Sequence, residues 1–298
     1  LTGRLGGYLV GMNITKCIDS AGQTRVALVE NDSLVPLQMT AELPTLSAIL
    51  AAENPAAAAG SLGRDQSIAI DDSTQWLPPI DQQEVWAAGV TYKRSQTARM
   101  EESEAAASCY DQVYNADRPE IFFKATPSRV SGHKQPLRIR TDAKWNVPEP
   151  EITLALSPSL KIVGLTVGND MSSRDIEGEN PLYLPQAKCY DQCAGLGPWI
   201  TLMDELPSAD AITVDLKIVR DGIVVFDQAT SAAEMARKFE DLVQWLGRDN
   251  TMADGAFLMT GTGIVPTSDF TLLPDDVVNI TIGGVGTLSN RIVQGAAS

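Results

Sequence analysis

Three acidic residues in the middle of the chain have a spacing that could hold a metal ion. Glu149 and Glu151 open an apolar run, and on a β-strand residues i and i+2 point to one face about 6.5–7 Å apart. A second apolar run follows the turn-forming residues 157–159 and ends at Asp170. If the two strands are neighbours, the three carboxylates converge, and they repel one another unless a hard divalent cation lies between them. Such oxygen ligands suit magnesium, calcium or manganese far better than zinc.

Two interpretations of this pattern stay open on residue types alone. A Glu-x-Glu pair by itself is more often the exposed face of a strand than a metal site. The metal interpretation is favoured by Asp170 and by Lys188, an amine at the end of a loop that Pro181 and Pro185 interrupt.

A fourth carboxylate, that of Glu120, is a candidate for moving protons. It lies between Pro119 and the apolar residues 121–123, where we expect it to be partly buried. Burial raises the pKa of a carboxylic acid toward the range that is useful for proton transfer. The alternative is an acid at a strand edge that pairs with Arg118 or Lys124.

Composition and charge exclude several classes of protein. The 298 residues are 44% hydrophobic and 20% charged, which is typical of a soluble globular protein. A net charge of -15 argues against a nucleic-acid partner, whose phosphates need a basic surface. The sequence shows neither a run of about 18 apolar residues nor a basic-then-apolar leader, which predicts a cytoplasmic protein without a membrane span. Four scattered cysteines and one histidine, His133, argue against a disulfide framework and against zinc.

Two domains are predicted, a small N-terminal one over residues 1–79 and a main one over 80–298. Residues 6–37 show short alternating runs typical of two or three strands, and residues 43–52 have helical spacing. The alanine-rich residues 56–61 are predicted to be a connection, and residues 76–80 a rigid linker.

The last third predicts a hairpin, a helix and a late strand. Asp221-Gly222 lies between two β-rich runs, as in a tight hairpin turn, and residues 277–282 form the predicted strand. Ser231 and Glu234 have the spacing of a capping box, and Gly247 can end the helix that they would open. The predicted apolar face of that helix comprises Met235, Phe239, Leu242, Val243 and Leu246.

These residues together resemble the fumarylacetoacetate hydrolase superfamily. The resemblance runs from about Trp86 to the end of the chain. Its motifs are Glu149-x-Glu151, the 169–175 turn, Lys188, the Gly197-Pro198 pair and Thr260-Gly261-Thr262. Residues 118–127 and 179–186 are similar to the branch of the superfamily that dehydrates 2-keto-3-deoxy sugar acids.

The resemblance implies a fold, a cofactor and roles for individual residues. The implied fold is α+β and mainly β, a roll with peripheral helices after a small N-terminal α+β domain, in a homodimer or homotetramer. The implied metal is Mg²⁺, with Mn²⁺ or Ca²⁺ as alternatives. The implied reaction converts 2-keto-3-deoxy-D-arabinonate to 2,5-dioxopentanoate through a metal-stabilised enolate. The implied residues are Glu149, Glu151 and Asp170 for the metal, Glu120 and Lys188 for catalysis, and Thr262, Gly261, Phe122 and Arg174 for the substrate.

Three other functions stay open from the sequence. The first is the branch of metal-dependent C–C hydrolases that cleave acylpyruvates, in which a His–Glu pair after the first active-site strand activates water. No histidine follows residues 88–92 here, and Glu101, Glu102 and Glu104 have no histidine to orient, which disfavours hydrolysis. The second is a Schiff-base dehydratase in which Lys188 attacks the ketone. The third is a calcium-stabilised β protein without turnover. We expect His133 to cap a loop rather than face the cleft.

Overall fold

The computed structural model describes residues 11–93 and 112–295. Most of the described elements are strands, as the sequence predicts. The elements from residue 12 to residue 125 are β1 (Met12–Ile18), β2 (Thr24–Glu30), β3 (Ser33–Gln38), α1 (Leu46–Leu50), α2 (Pro55–Ser61), β4 (Gly63–Arg64), β5 (Ile68–Ala69), β6 (Gln75–Leu77), β7 (Glu84–Gly89) and β8 (Glu120–Ala125).

The remaining elements contain the predicted metal ligands and the C-terminal hairpins. They are β9 (Val130–Ser131), β10 (Leu137–Ile139), β11 (Asn146–Val147), β12 (Pro150–Leu156), β13 (Ile162–Asp170), β14 (Ser172–Ser173), α3 (Arg174–Glu179), α4 (Leu184–Lys188), β15 (Ala194–Leu202), β16 (Thr213–Arg220), β17 (Ile223–Ser231), α5 (Phe239–Leu246), β18 (Ala256–Met259), β19 (Val277–Ile282) and β20 (Gly286–Gln294). Short 3₁₀ turns occupy residues 127–129, 181–183, 209–211 and 232–234.

One long sheet runs from the N-terminal strands to the strands of the site. Its order is β4-β3-β2-β1-β15-β13-β12-β18-β7-β8, with β5, β6 and β9 paired to its side. β1 pairs with β15, so the N-terminal strands continue the sheet that holds the predicted metal ligands. The predicted domain boundary near residue 79 therefore lies within one hydrogen-bonded sheet, and its place stays a prediction.

The long sheet is covered on both faces. A five-stranded sheet of order β10-β20-β19-β16-β17 covers one face, and its Leu216 and Ile280 share a core with Ile152 and Leu154 of β12. On the other face, α1 and α2 bury residues such as Ile49 against the long sheet. Every residue of β12 is consequently buried, which explains why its apolar run is nearly continuous. The mainly β architecture with peripheral helices is confirmed.

The neighbouring strands that the metal prediction needs are present. β12 and β13 pair antiparallel with Pro150 opposite Asn169 and Glu151 opposite Gly168. The turn between them closes with a hydrogen bond from Ser157 N–H to Lys161 O of 2.9 Å. The Asp221-Gly222 hairpin is also confirmed, with φ of 51° and 78° at its two turn residues.

Several local predictions were wrong. Trp76 and Leu77, which were predicted as part of a rigid linker, lie in β6, which pairs with β1. Residues 56–61 belong to α2 and not to a connection, because Asn54 caps it by accepting from Ala57 N–H and Pro55 opens it ahead of strong helix formers. The capping box at Ser231 does not form, because the Ser231 backbone pairs with Thr213 at the end of β17. The helix begins instead at Phe239, so Met235 lies outside its predicted apolar face, while the other four residues of that face are buried on it and it ends at Gly247 as predicted.

Among the described residues, no helix is both long and apolar enough to cross a membrane.

Lys188 was predicted at the end of a loop, and it is in fact the last residue of the short helix α4. Pro185 is tolerated there because the first turn of a helix needs no donor from its N–H.

Candidate active site

The three predicted metal ligands converge in the interior. Glu149, Glu151 and Asp170 each offer a carboxylate oxygen, and these oxygens lie within 4.8 Å of one another. Glu149 precedes β12 directly, and its backbone carbonyl accepts from Asp170 N–H at 3.0 Å. The register of β12 and β13 thus fixes the three side chains at one point, and all three are at most 3% exposed.

Three buried cations surround these carboxylates. Lys188 Nζ lies 2.6 Å from Glu149 Oε2 and 2.9 Å from Asp170 Oδ2. Arg174 lies 2.8 Å from the other oxygen of Glu149. Lys124 Nζ lies 2.6 Å from Asp170 Oδ1. Buried charges are tolerated when they are paired and hydrogen-bonded, so this network can hold three acids together in the core.

Glu151 stands apart from these ion pairs. Its Oε2 accepts from Gly261 N–H at 2.6 Å. Burial raises the pKa of Glu151 well above its ordinary value, and the charges of Asp170 and Glu149 raise it further, while Lys188 acts in the opposite direction. A bound cation would offset this cost directly, because it favours the ionised form of a neighbouring carboxylate.

Glu120 and Phe122 line the same cavity as the triad. Glu120 opens β8 and is partly buried, as predicted, and it faces Gly89 of β7 in the strand register. The Phe122 ring lies 5.5 Å from Lys188 Nζ, a cation–π distance. Both predicted salt-bridge partners of Glu120 have other contacts, since Arg118 stacks on Trp245 at 4.5 Å and Lys124 pairs with Asp170.

The predicted substrate ligands occupy the wall of this cavity. Gly261 and Thr262 follow β18 and line it, and Gly261 has a φ of 91° that favours glycine. Thr262 Oγ1 also bonds the backbone of Ile264 at 3.1 Å. Arg174 lines the cavity too, and its ion pair with Glu149 restrains one of the three predicted metal ligands.

Comparisons with known proteins identify the family of this chain. A family model described as fumarylacetoacetate (FAA) hydrolase C-terminal matches residues 84–293. The chain belongs to the fumarylacetoacetate hydrolase family.

Alignments with two dehydratases cover more than two thirds of this chain. It is 49% identical over 214 residues to a probable 2-keto-3-deoxyxylonate dehydratase of Haloferax volcanii, covering 72% of this chain and 73% of the relative. It is 46% identical over 213 residues to the 2-dehydro-3-deoxy-D-arabinonate dehydratase of Saccharolobus solfataricus, covering 70% and 72%. A solved 2-keto-3-deoxy-D-arabinonate dehydratase complexed with magnesium and 2,5-dioxopentanoate superposes with a TM-score of 0.82 at 34% identity, covering 96% of this chain and 100% of that structure.

The single histidine of this family member lies outside the cavity of the triad. His133 lines a different cavity beside Trp76, whose ring it meets edge-on at 5.4 Å, and its Nδ1 accepts from Ser289 N–H. Burial lowers the pKa of His133 to about 4, with Lys134 adding to the shift. The imidazole thus fixes a loop, as expected. The predictions on Glu101, Glu102 and Glu104 lie outside the described residues.

The sequence interpretation missed Lys124, Glu177 and Gly89. Lys124 is fully buried, and besides Asp170 its Nζ donates to the carbonyls of Met171 and Lys188 at 2.9 and 2.6 Å. Burial opposes the charge of Lys124, but Asp170 outweighs it and the pKa is raised. Period-2 alternation along β8 puts Glu120, Phe122 and Lys124 on one face, and this signal could have found the lysine. No sequence signal pointed to Glu177, which is brought to the cavity by α3.

We expect Lys124→Met to destabilise this family member by about 3–5 kcal/mol, because Asp170 Oδ1 and two buried carbonyls lose the ammonium that contacts them. Urea unfolding in the presence of chelator measures the loss. Lys134→Met is the matched control, since Lys134 is exposed and pairs with Asp72 at 3.1 Å, and it should cost less than about 1 kcal/mol. Equal effects of the two variants would contradict the structural role of Lys124.

We expect Gly89→Ala to lower kcat by about 10²-fold without unfolding the protein. A Cβ at Gly89 would lie 2.6 Å from Glu120 Cδ, so the carboxylate must move away. A displacement of about 1 Å of a reacting group can cost about 10²-fold in rate. Gly178→Ala on α3 is the control, because its Cβ would meet nothing within 4 Å and its kcat should stay unchanged. Wild-type kcat in Gly89→Ala would show that the position of Glu120 is not critical.

Proposed function

We propose that this protein is a magnesium-dependent dehydratase of 2-keto-3-deoxy sugar acids, acting on 2-keto-3-deoxy-D-arabinonate to give 2,5-dioxopentanoate. The observation that carries the proposal is the buried triad of Glu149, Glu151 and Asp170 in one cavity with the partly buried acid Glu120. The dehydratases among the relatives and the solved structures support the same reaction.

The donor set fits magnesium. All three ligands are carboxylates, which hard divalent cations prefer, and their oxygens already lie close enough to share one ion. Burial, followed by the charges of Asp170 and Glu149, raises the pKa of Glu151, and a bound cation would favour its ionised form. When bound, the metal would act as a Lewis acid that polarises the 2-oxo group and makes the C3 protons more acidic. Manganese or calcium fits the same oxygen set as an alternative.

The protein groups then bind and position the substrate. The backbone N–H and the hydroxyl of Thr262 would hold the substrate carboxylate at the wall of the cavity, and Gly261, which has no side chain, would let it approach closely. Glu120 would take a proton from C3, and the Lys188 ammonium would stabilise charge on the 2-oxygen or on the leaving C4 hydroxyl. Phe122 would shield this charge from water.

The contacts of Lys188 favour the ammonium role over Schiff-base formation. A nucleophilic lysine must offer a neutral amine. Here Nζ donates to two carboxylates at 2.6 and 2.9 Å, which favours the charged form. We therefore infer that Lys188 acts electrostatically.

A substrate panel with purified protein tests this proposal. We expect magnesium-dependent formation of 2,5-dioxopentanoate from 2-keto-3-deoxy-D-arabinonate, loss of activity with chelator and recovery with added Mg²⁺. Borohydride with substrate should trap no covalent adduct on Lys188. Faster turnover of an acylpyruvate would favour the hydrolase, and no turnover of either substrate together with stabilisation by Ca²⁺ would favour a structural metal site.

We also infer that the protein works in the cytoplasm as a homodimer or homotetramer. Support for assembly comes from the edge strand β17, where Ile223, Val224 and Val225 are 68%, 49% and 40% exposed. An exposed apolar edge strand is an open template for pairing with another chain. Light scattering after size exclusion measures the mass, and a monomer at working concentration would refute assembly.

A further inference from the structure

Two adjoining cavities share a wall of two carboxylates. The first contains the triad, together with Thr262 and Lys188. The second is lined by Val113, Arg118, Pro119, Pro181 and Leu184. Glu120 and Glu177 line both cavities, so these two acids stand at the junction.

The free space is unequal between the two cavities. The triad cavity offers about 10 Å³, which suits a single ion or water, whereas the second cavity offers about 280 Å³. The second cavity has room for the remaining carbons of a 2-oxo acid that is held by its first two carbons at the triad. On such a path the chain beyond C3 would pass Glu120 and Glu177, which line both cavities.

Glu177 is a buried carboxylate at the position where the far end of the substrate would lie. It belongs to α3, is 2% exposed, and its Oε2 accepts from the Ser172 hydroxyl at 3.0 Å. Burying a carboxylate is costly, and the place of Glu177 in both cavities gives this cost a functional reason.

Elimination of water across C3 and C4 gives only an isomer of 2,5-dioxopentanoate. Removal of a C3 proton and the C4 hydroxyl from the pentonate leaves 5-hydroxy-2-oxopent-3-enoate. To reach the aldehyde, a C5–H bond must break and its electrons form the C4=C5 bond, while the electrons of the C3=C4 bond take up a proton at C3. The enol then loses its C5 hydroxyl proton as C4 gains one, giving the aldehyde. Atoms and electrons balance without any oxidant or reductant.

We propose that Glu177 is a second catalytic carboxylate, which takes the C5 proton after water has left and returns it to C3. The assignment rests on the proposed dehydratase function. Glu120 acts first at C3, and Glu177 acts next on the same chain from the junction of the two cavities. One carboxylate can transfer a proton between C5 and C3 because both carbons are attached to C4.

The test follows both products of Glu177→Gln with 2-keto-3-deoxy-D-arabinonate and Mg²⁺ by proton NMR. We expect substrate consumption near the wild-type rate, accumulation of the enone with its vinyl protons, and formation of 2,5-dioxopentanoate lowered by about 10²–10⁴-fold. Glu179→Gln, an exposed glutamate on the same helix, is the matched control and should behave as wild type. Wild-type formation of 2,5-dioxopentanoate by Glu177→Gln without enone would overturn the proposal and leave Glu120 as the one base.

A second measurement uses the wild-type enzyme and does not depend on the variant. With substrate carrying one deuterium at C5 in defined configuration, a positioned base should remove hydrogen from one face only. The aldehyde would then keep all of the deuterium from one epimer and none from the other. Random retention would overturn the role of Glu177. If wild type releases no water from this substrate, the dehydratase function itself fails, which is a different outcome from random retention.

Discussion

Replacing Glu151 by glutamine is expected to weaken Mg²⁺ binding by more than about 100-fold and to abolish turnover while the protein stays folded. Removing a residue that only hydrogen-bonds a metal ligand already lowers metal affinity by about 10–100-fold. This change removes one of the three predicted ligands itself. The amide keeps an oxygen that can accept from Gly261 N–H, whose bond to Glu151 Oε2 is 2.6 Å. Calorimetric titration with Mg²⁺ measures the affinity, and the product assay measures turnover.

The same variant should be more stable than wild type when metal is removed. The pKa of Glu151 is raised in the folded protein, so its contribution to stability is present at low pH and is lost as pH rises through the folded pKa. Chelator-treated wild type should therefore lose stability with rising pH more steeply than Glu151→Gln. At neutral pH we expect a gain of about 1 kcal/mol, or roughly 2–4 °C in Tm.

Glu42→Gln is the control for Glu151→Gln, since Glu42 is exposed and does not line the cavity. It should change neither the Mg²⁺ affinity nor the pH dependence of Tm. Full activity of metal-free Glu151→Gln would refute the metal site.

Replacing Glu120 by glutamine is expected to lower kcat by about 10²–10⁴-fold while Mg²⁺ binds normally. Glu120 lines the cavity but is not one of the three converging ligands, so its loss should affect proton transfer alone. Exchange of the C3 protons of 2-oxobutanoate in D₂O isolates this step. The variant should still bind the analogue and should no longer exchange these protons.

Glu84→Gln on the adjacent strand β7 is the matched control. Glu84 is exposed and accepts from Trp86 Nε1 at 2.9 Å, and an amide oxygen can keep this bond. Wild-type exchange is expected in this variant. A near-normal kcat in Glu120→Gln would remove Glu120 from the mechanism.

Local sequence rules predicted the triad because its geometry is nearly local. Two-residue spacing puts Glu149 and Glu151 on one strand face, and a short turn makes the strand ending at Asp170 their neighbour. The hairpin was predictable for the same reason, because the adjacent residues Asp221 and Gly222 both adopt the positive φ angles that its turn needs. The capping box at Ser231 failed because pairing with a distant strand outweighed the local helix signal.

The sequence by itself determined the residue types available to the site: three closely spaced carboxylates, a candidate acid on an apolar strand, and no histidine directly after residues 88–92. Only the tertiary structure decided which charges meet. Lys124 pairs with Asp170 across 46 positions of sequence, and α3 brings Glu177 to the junction of two cavities. Such contacts depend on how strands and helices pack around a shared core, and residue spacing along the chain does not contain that information.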